Sequence, residues 1–279
     1  MSLVLNGSSQ WASSDTEAAA NEPFTVSIWF KPDNVTAMCS LFEEDDTGGG
    51  NMFLLDAAGN VAGDPIRCLA YKAGWAVAST TSGYAAGSWQ HACGVWTADD
   101  SRSVYLEGGS KATNTASKTV TGITQMLVGR YGANYFDGKL AELAVWDVAL
   151  SDAEVANLAA GTNPTSVQAD HLVGYWPLLT DANDDIGSNN LTLAGSPDFD
   201  AEDHPEIEST FTELTGTIAL SFAMSGTLTK IKFVALAGTM PFTLGMTGTL
   251  DRKYVSKDRM SGVVRLVACG NDELWYEDV

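Results

Sequence analysis

The residue types that could do chemistry in this chain are its carboxylates, its three histidines and a few aromatic side chains beside glycine turns. Two dense acidic runs stand out, Glu43-Glu44-Asp45-Asp46 and Glu202-Asp203-His204-Pro205-Glu206. Retaining glycoside hydrolysis needs two carboxylates about 5 to 5.5 Å apart, and a β-strand supplies such a pair when acids recur on one of its faces. Neither run reads as that pair. The first precedes Gly48-Gly49-Gly50 and reads as a loop, the second is linker-like and broken by proline, and both are expected to be solvated. His91, His171 and His204 lie far apart without H-E-x-x-H or other metal-ligand spacing, and no G-x-S-x-G or phosphate-cradling loop stands between a strand and a helix. His91, two residues after Trp89 on one side of a strand, reads as a satisfied core histidine under a loop. The expectation is a protein without enzymatic activity.

Binding needs less machinery: a ring to stack on a sugar face, a few polar groups, and in many cases a cation that fixes a loop. Trp75 and Tyr84 in YKAGWAVASTTSGY, with Tyr131, Asn134 and Tyr135 in RYGANYFDG, are the candidate carbohydrate-binding residues. Acids beside glycine turns, where the backbone curls its carbonyls inward, make Asp45, Asp46 and Asp64 candidate calcium ligands, and Asp181, Asp184 and Asp185 form a second such loop. No other cofactor is expected.

Charge narrows the partners. The formal net charge is −20, and it is uneven: residues 1–205 carry 26 acids against 8 bases, whereas residues 206–279 carry 9 against 7. An acidic surface repels nucleic-acid phosphates and anionic membranes, so neither is an expected partner. No apolar run approaches the 18 to 20 or so residues that span a bilayer, so membrane insertion is not expected. The beginning, MSLVLNGSSQW, has neither the basic nor the apolar stretch of a secretory signal. Cys39, Cys68, Cys93 and Cys269 have no C-x-x-C spacing and are expected to be free thiols, the first three buried among strand residues.

The elements that must position these residues are strands. Short runs of Val, Ile, Leu, Thr and aromatics alternate with turn residues through residues 1–205, the rhythm of a β-sandwich or barrel. Phe24–Phe30 alternates apolar and small polar residues to Ile28 and stops at Lys31-Pro32-Asp33. Further strands are expected over Met52–Asp56, Ile66–Tyr71, Gln90–Trp96, Ser103–Glu107, Gln125–Gly129 and Lys139–Trp146. In the last of these, Ala141, Leu143 and Val145 make the better core face, opposite Leu140, Glu142, Ala144 and Trp146. One helix is well marked: Ser151 as N-cap, Glu154 completing a capping box, Leu150 and Val155 as a hydrophobic staple, and Gly161 after the last turn.

Four segments together resemble the concanavalin A-like lectin/glucanase superfamily, in its laminin G-like and pentraxin-like branch. They are FTVSIWFKPD at 24–33, GSWQHACGVWTADDSRSVYLEGG at 87–109, FDGKLAELAVWDVALSDAEV at 136–155 and LVGYWPLLTDANDDIGSNNLTLAGSP at 172–197. The resemblance implies an all-β jelly-roll sandwich with one short capped helix over residues 1–205, a lectin-like surface, and calcium at the sandwich rim. The Glu-x-Asp-x-x-Glu string of the glucanase-type members is not present in this sequence.

A boundary is expected near residue 205. Beyond it, LTGTIALSFAMSGTL at 214–228 aligns with LAGTMPFTLGMTGTL at 236–250, offset by 22 residues and identical at 7 of 15 positions. Ile218, Leu220, Phe222 and Met224, then Met240, Phe242, Leu244 and Met246, fall at period two. A Gly/Thr-rich repeat offering one apolar strand face per copy must stack on neighbours. Residues 206–279 are therefore expected to be a smaller β assembly region that makes a homo-oligomer, for example a trimer. The whole reads as a non-enzymatic structural and adhesion component of a bacteriophage virion, as a decoration, fibre or tail-associated protein, with other virion proteins and surface glycans as partners. The alternatives are an extracellular soluble lectin and, lacking its acidic string, a hydrolase.

Overall fold

A computed structural model of the chain describes residues 1–205 and 207, and beyond them only the backbone of two short strands at 245–246 and 267–268. The chain divides into two units, Met1–Thr210 and Phe211–Val279. In the first, two antiparallel sheets stack face to face. One sheet runs β10 (Gly109–Asn114), β9 (Ser101–Leu106), β8 (Gln90–Ala98), β3 (Phe24–Pro32), β14 (Asp137–Trp146), β1 (Ser2–Asn6) and β17 (Asp198–Asp200), with β15 (Leu172–Trp176) also paired to β14. The other runs β16 (Thr192–Ala194), β2 (Trp11–Ser14), β11 (Gln125–Val128), β4 (Met38–Asp45), β5 (Asn51–Ala58), β6 (Pro65–Lys72) and β7 (Trp75–Gly83). This is the expected jelly-roll sandwich.

Alternation explains the core between the sheets. Phe24, Val26, Ile28 and Phe30 of β3 face Phe53 and Leu55 of β5 and Ile66 and Cys68 of β6, all fully buried. Trp96 fills the centre, stacked on Phe24 at 4.6 Å and 9°, and its indole N–H donates to the Leu69 carbonyl at 3.0 Å. A buried tryptophan costs little once its one donor is satisfied. Cys39, Cys68 and Cys93 are buried free thiols; Cys269 lies outside the described residues.

The expected core face of β14 needs one correction. Leu143 and Val145 do face the other sheet, but Leu140 joins them and Ala141 does not. The cause is a β-bulge at Glu142, whose φ of 55° lets the β3 register pass from Ala141–Trp29 to Ala144–Ser27. One extra residue shifts the alternation by one. Gly138, at the entry to β14, has φ 137°, and a Cβ there would stand 2.2 Å from the Lys31 carbonyl oxygen. Only glycine fits so close an approach.

The opposite face of β14 carries Ala144 and Trp146, which with Cys93, Val95 and Tyr105 form a second cluster roofed by helix α1 (Asp152–Ala159). Its capping box is complete: Glu154 N–H donates to Ser151 Oγ at 3.4 Å, and the Glu154 carboxylate accepts the Ser151 N–H at 2.7 Å. Leu150, Val155 and Leu158 are buried in that cluster. In the second unit, β18 (Gly245–Met246) and β19 (Val267–Ala268) pair in parallel. The rest of the expected assembly region lies outside the described residues.

Candidate functional site

The outer face of the seven-stranded sheet can be built row by row from its register. Asp45 stands across from Met52, Met52 from Tyr71, and Tyr71 from Trp75. The next row is Glu43, Leu54, Leu69 and Val77, and beyond it Asp56 pairs with Arg67. Leu54 and Leu69 point away from the core, yet both are buried. A hairpin made by β12 (Arg130–Tyr131) and β13 (Asn134–Tyr135) packs over β4 on this face. Its two-residue turn, Gly132-Ala133, uses a left-handed φ of 57° at Gly132, the conformation that tight hairpin turns demand.

Three rings gather at the edge of this hairpin. The turn Lys72-Ala73-Gly74, with left-handed φ at both Ala73 and Gly74, closes the β6–β7 hairpin and sets Tyr71 beside Trp75, ring centres 4.8 Å apart. Tyr131 meets Trp75 edge-on at 6.3 Å. Burial, with smaller contributions from the Glu43, Tyr71 and Asp56 charges, pushes the Tyr131 phenol up. Trp75 remains 40% exposed. A large apolar ring held by packed neighbours and open to solvent can act as a stacking platform.

Deeper under the hairpin the chemistry is ionic. Arg130 lies over the Trp11 ring, 4.4 Å from its centre, and 5.6 Å from that of Tyr135, and its Nε–H donates to the Gly132 carbonyl. Glu43 is 3% exposed, and its Oε2 has no hydrogen-bond partner. Burial, and then the neighbouring Asp45, push the Glu43 carboxyl up to about 8, against the pull of Arg130. Glu44 points the other way, its Oε1 accepting the Ala18 and Ala19 N–H groups, and burial pushes it up to about 8 as well. Arg67 forks onto buried Asp56 at 2.9 and 2.6 Å.

These positions revise the sequence-based expectations. Glu43, Glu44 and Asp45 belong to strand β4 and are buried, not solvated in a loop. Of the candidate binding residues, Trp75 and Tyr131 meet, and Asn134 is exposed and paired with Tyr131 in the hairpin, whereas half-buried Tyr135 packs on Trp11 of β2, five strands from Trp75. Tyr84 does not: it is 5% exposed and packs edge-on against Phe30 at 5.8 Å, inside the core. Its ring belongs to the sandwich interior because the chain after β7 turns back across the end of the core. Trp11, Tyr71 and Arg130 were missed, and only Tyr71 left a signal, as the strand residue opposite Trp75 across a short glycine turn.

The proposed calcium ligands do not fit the ion. Asp45 and Asp46 stand near the Met52 end of β5, while Asp64 adjoins Pro65, near the Ala58 end, so the strand's length separates them. Moreover, Asp45 Oδ1 accepts the Thr47 N–H and the Gln125 amide, and Asp46 accepts the Gly48 and Gly50 N–H groups and the Asn51 amide. The turn aims N–H dipoles at these carboxylates where a cation needs carbonyl oxygens. In the second loop Asp184 is likewise surrounded by donors, the Tyr175, Ile186 and Asn189 N–H groups. Among the described residues no three metal-ligating groups cluster.

On the far side of the sandwich His91 is fully buried, its Nε2 2.7 Å from Ser27 Oγ, and burial depresses it to about 3. Its Nδ1 has no partner, so it is a core histidine only partly satisfied. Asp203 is not solvated linker either. It receives Lys31 at 2.8 Å, Lys139 at 2.6 Å and the Trp89 indole N–H at 2.7 Å.

A family model described as the concanavalin A-like lectin/glucanases superfamily matches residues 6–156. Among solved structures, domain 4 of the extracellular arabinanase AbnA from Geobacillus stearothermophilus, in complex with arabinotriose, is 23% identical, covering 50% of this chain and 68% of that one at a TM-score of 0.45. The heptameric SAP-like pentraxin of Limulus polyphemus is 17% identical over 57% and 81%, TM-score 0.44. Mouse laminin α1 domains LG4-5 are 12% identical over 52% and 40%, TM-score 0.41. No curated protein matches the sequence. No helix among the described residues is long and apolar enough to cross a membrane.

Proposed function

The chain belongs to the concanavalin A-like lectin/glucanases superfamily, and from that premise we propose that its lectin-like domain binds glycans, without catalysis, on the outer face of the seven-stranded sheet. The observation that carries this is the exposed Trp75 ring, steadied by Tyr71 and Tyr131, with the Asn134 amide in the same hairpin as Tyr131. Sugar rings stack on such platforms, and a few uncharged polar groups then fix their orientation. The test is a glycan array probed with the full chain and with Trp75→Ala: retention of all signal by the variant removes the reading.

A hydrolase would draw on Glu43 and Asp45, two acids on one face of β4. Both are buried, 3% and 8% exposed, and Asp45 is taken up by the Thr47 N–H and the Gln125 amide, which does not favour a solvent-open acid pair. The finer reading is an adhesion component of a particle, specifically a bacteriophage decoration, fibre or tail-associated protein that assembles through residues 206–279. Its support is the apolar period-two repeat at 214–228 and 236–250. Mass spectrometry of purified particles tests the location. Light scattering of the full chain against a chain ending at 205 tests assembly, and an unchanged oligomeric state would remove that role.

A further inference from the structure

The same face carries information about which glycans it accepts. A sugar bearing a carboxylate, such as a sialic or uronic acid, loses the hydration of that charge on binding and needs a cation to replace it. The cations of residues 1–205 are eight in number, and each is committed elsewhere or turned away. Arg67 is spent on Asp56 in a two-point fork. Arg130 lies over the Trp11 ring, on the strand five places from Trp75, and donates through Nε to the Gly132 carbonyl.

Lys72 follows Tyr71 and so, by strand alternation, takes the opposite side, where its Nζ donates to the Asn51 side chain. Lys118 donates to the Lys72 carbonyl, and its own N–H is held by Asp99 in the β8–β9 turn of the other sheet. Lys31 and Lys139 hold Asp203, Lys111 holds Asp152, and Arg102 is buried on Asn114 and two carbonyls. Against these, 26 acids give the domain a strongly negative field, which repels an incoming anion before contact.

We propose that the Trp75–Tyr131 face selects neutral glycans and discriminates against sialylated or uronic-acid-bearing ones. The inference rests on this face being the glycan site. It assigns the discrimination to charge: among the described residues, the guanidinium groups and ammoniums are held by other partners, and stacking and uncharged hydrogen bonds carry the attraction at Trp75.

The test uses the full chain and matched pairs on one array and in titration calorimetry: lactose and 3′-sialyllactose, and neutral gluco- and galacto-oligosaccharides with their uronic-acid counterparts. Each anionic partner is expected to bind about tenfold or more weakly than its neutral twin. The gap should narrow as salt rises from about 0.01 to 0.5 M, because the Debye length falls severalfold. Asp56→Asn, which releases Arg67, should narrow it too. An anionic glycan that binds as tightly as its neutral twin overturns the inference and leaves the site reading intact. A gap that responds neither to salt nor to Asp56→Asn also overturns it, placing selection in shape. An array blank for both kinds, or binding unmoved by Trp75→Ala, instead removes the site itself.

Discussion

The Arg130 guanidinium lies 4.4 Å from the centre of the Trp11 ring, so a residue of the hairpin is clipped to a strand more than a hundred positions earlier. Tyr135 stands beside that ring, centres 5.7 Å apart and tilted by 49°, with its own centre 5.6 Å from the guanidinium. The consequence for binding is indirect: Arg130 fixes the hairpin that carries Tyr131 to the edge of Trp75. A stacked guanidinium contributes about 0.5 to 1 kcal/mol at a half-exposed site. Arg130→Ala is therefore expected to lower stability by about 1 kcal/mol and to weaken glycan binding while Trp75 stays in place. Lysine should not restore it, since an ammonium lacks the planar face that stacks on the Trp11 ring. Chemical denaturation and titration calorimetry of the two variants check this, and full rescue by lysine would refute the stacking account.

Glu43 and Glu44 set a pH dependence whose sign is opposite to that of an ordinary salt-bridged acid. Both carboxyls are raised from an ordinary value of 4.5 to about 8, chiefly by burial. Between those values the unfolded chain has released protons that the folded chain still holds. Stability therefore falls as pH rises from about 4.5 to about 8, by at most about 1.4 kcal/mol per pH unit for each group. Glu43→Gln should flatten that slope, leaving the contributions of Glu44 and of Glu22, which burial raises to about 7, and the change is cleanest above pH 6.5, where His91 no longer contributes with the opposite sign. Thermal melts from pH 5 to 8.5 read it directly. Equal slopes in parent and variant would mean that Glu43 is ionised in the fold.

The same strand marks the limit of what the sequence discloses. Strands with clean alternation or a turn at each end, such as Phe24–Pro32 and Asn51–Ala58, are legible because one face is apolar and the other is not. In Met38–Asp45 the acids Glu43, Glu44 and Asp45 fall on both faces, so no period appears, and the glycines that follow suggest a loop. Burial of these acids depends on a hairpin 90 residues later and on two amides of Ala18 and Ala19. That is tertiary information. The Glu142 bulge is similar: nothing local announces that a glutamate will take a left-handed φ, and it alone exchanges Ala141 for Leu140 in the core. Of the aromatic site, the rings near glycine turns were visible, but which of them faced outward was decided by packing, as Tyr84 and Trp75 show.

The turn after β4 gives a prediction about calcium. Asp46 is half-buried and its carboxyl is held below the ordinary range, first by the Asn51 amide and then by N–H groups of the turn. Those donors already complete its hydrogen bonding. Millimolar calcium is expected to leave the melting temperature of a chain ending at 205 unchanged, and Asp46→Asn, which still accepts the N–H groups of the turn, should be nearly neutral. Calorimetric heat on adding calcium, abolished by Asp46→Asn, would contradict this.

Asp203 tests where the sandwich ends. The stretch that reads as an acidic linker is tied to the first sheet twice: β17 pairs with β1, and Asp203 draws together Lys31, Lys139 and the Trp89 indole. Lys139 also reaches Asp200 at 2.8 Å, and Asp200 in turn accepts the Glu202 and Asp203 N–H groups. Burial works against the Asp203 charge, but Lys139, Lys31 and Trp89 outweigh it and hold the carboxyl well below the usual range. A depressed acid contributes stability that is present above about pH 4 and is lost as pH falls through the folded value. The group is a quarter exposed, so the three contacts together are worth about 1 to 2 kcal/mol after solvent screening, well short of their nominal sum. Asp203→Ala should cost about that much at pH 7 and low salt, less at 0.5 M salt, and the loss should shrink below about pH 4, where the parent loses the same interaction. A chain ending at 205 should retain the domain's stability, whereas one ending at 197 should lose more than Asp203→Ala does, because β17 goes as well. If Asp203→Ala unfolds at the same denaturant concentration as the parent at every pH, residues 198–205 are a tether and the sandwich closes at Ala194.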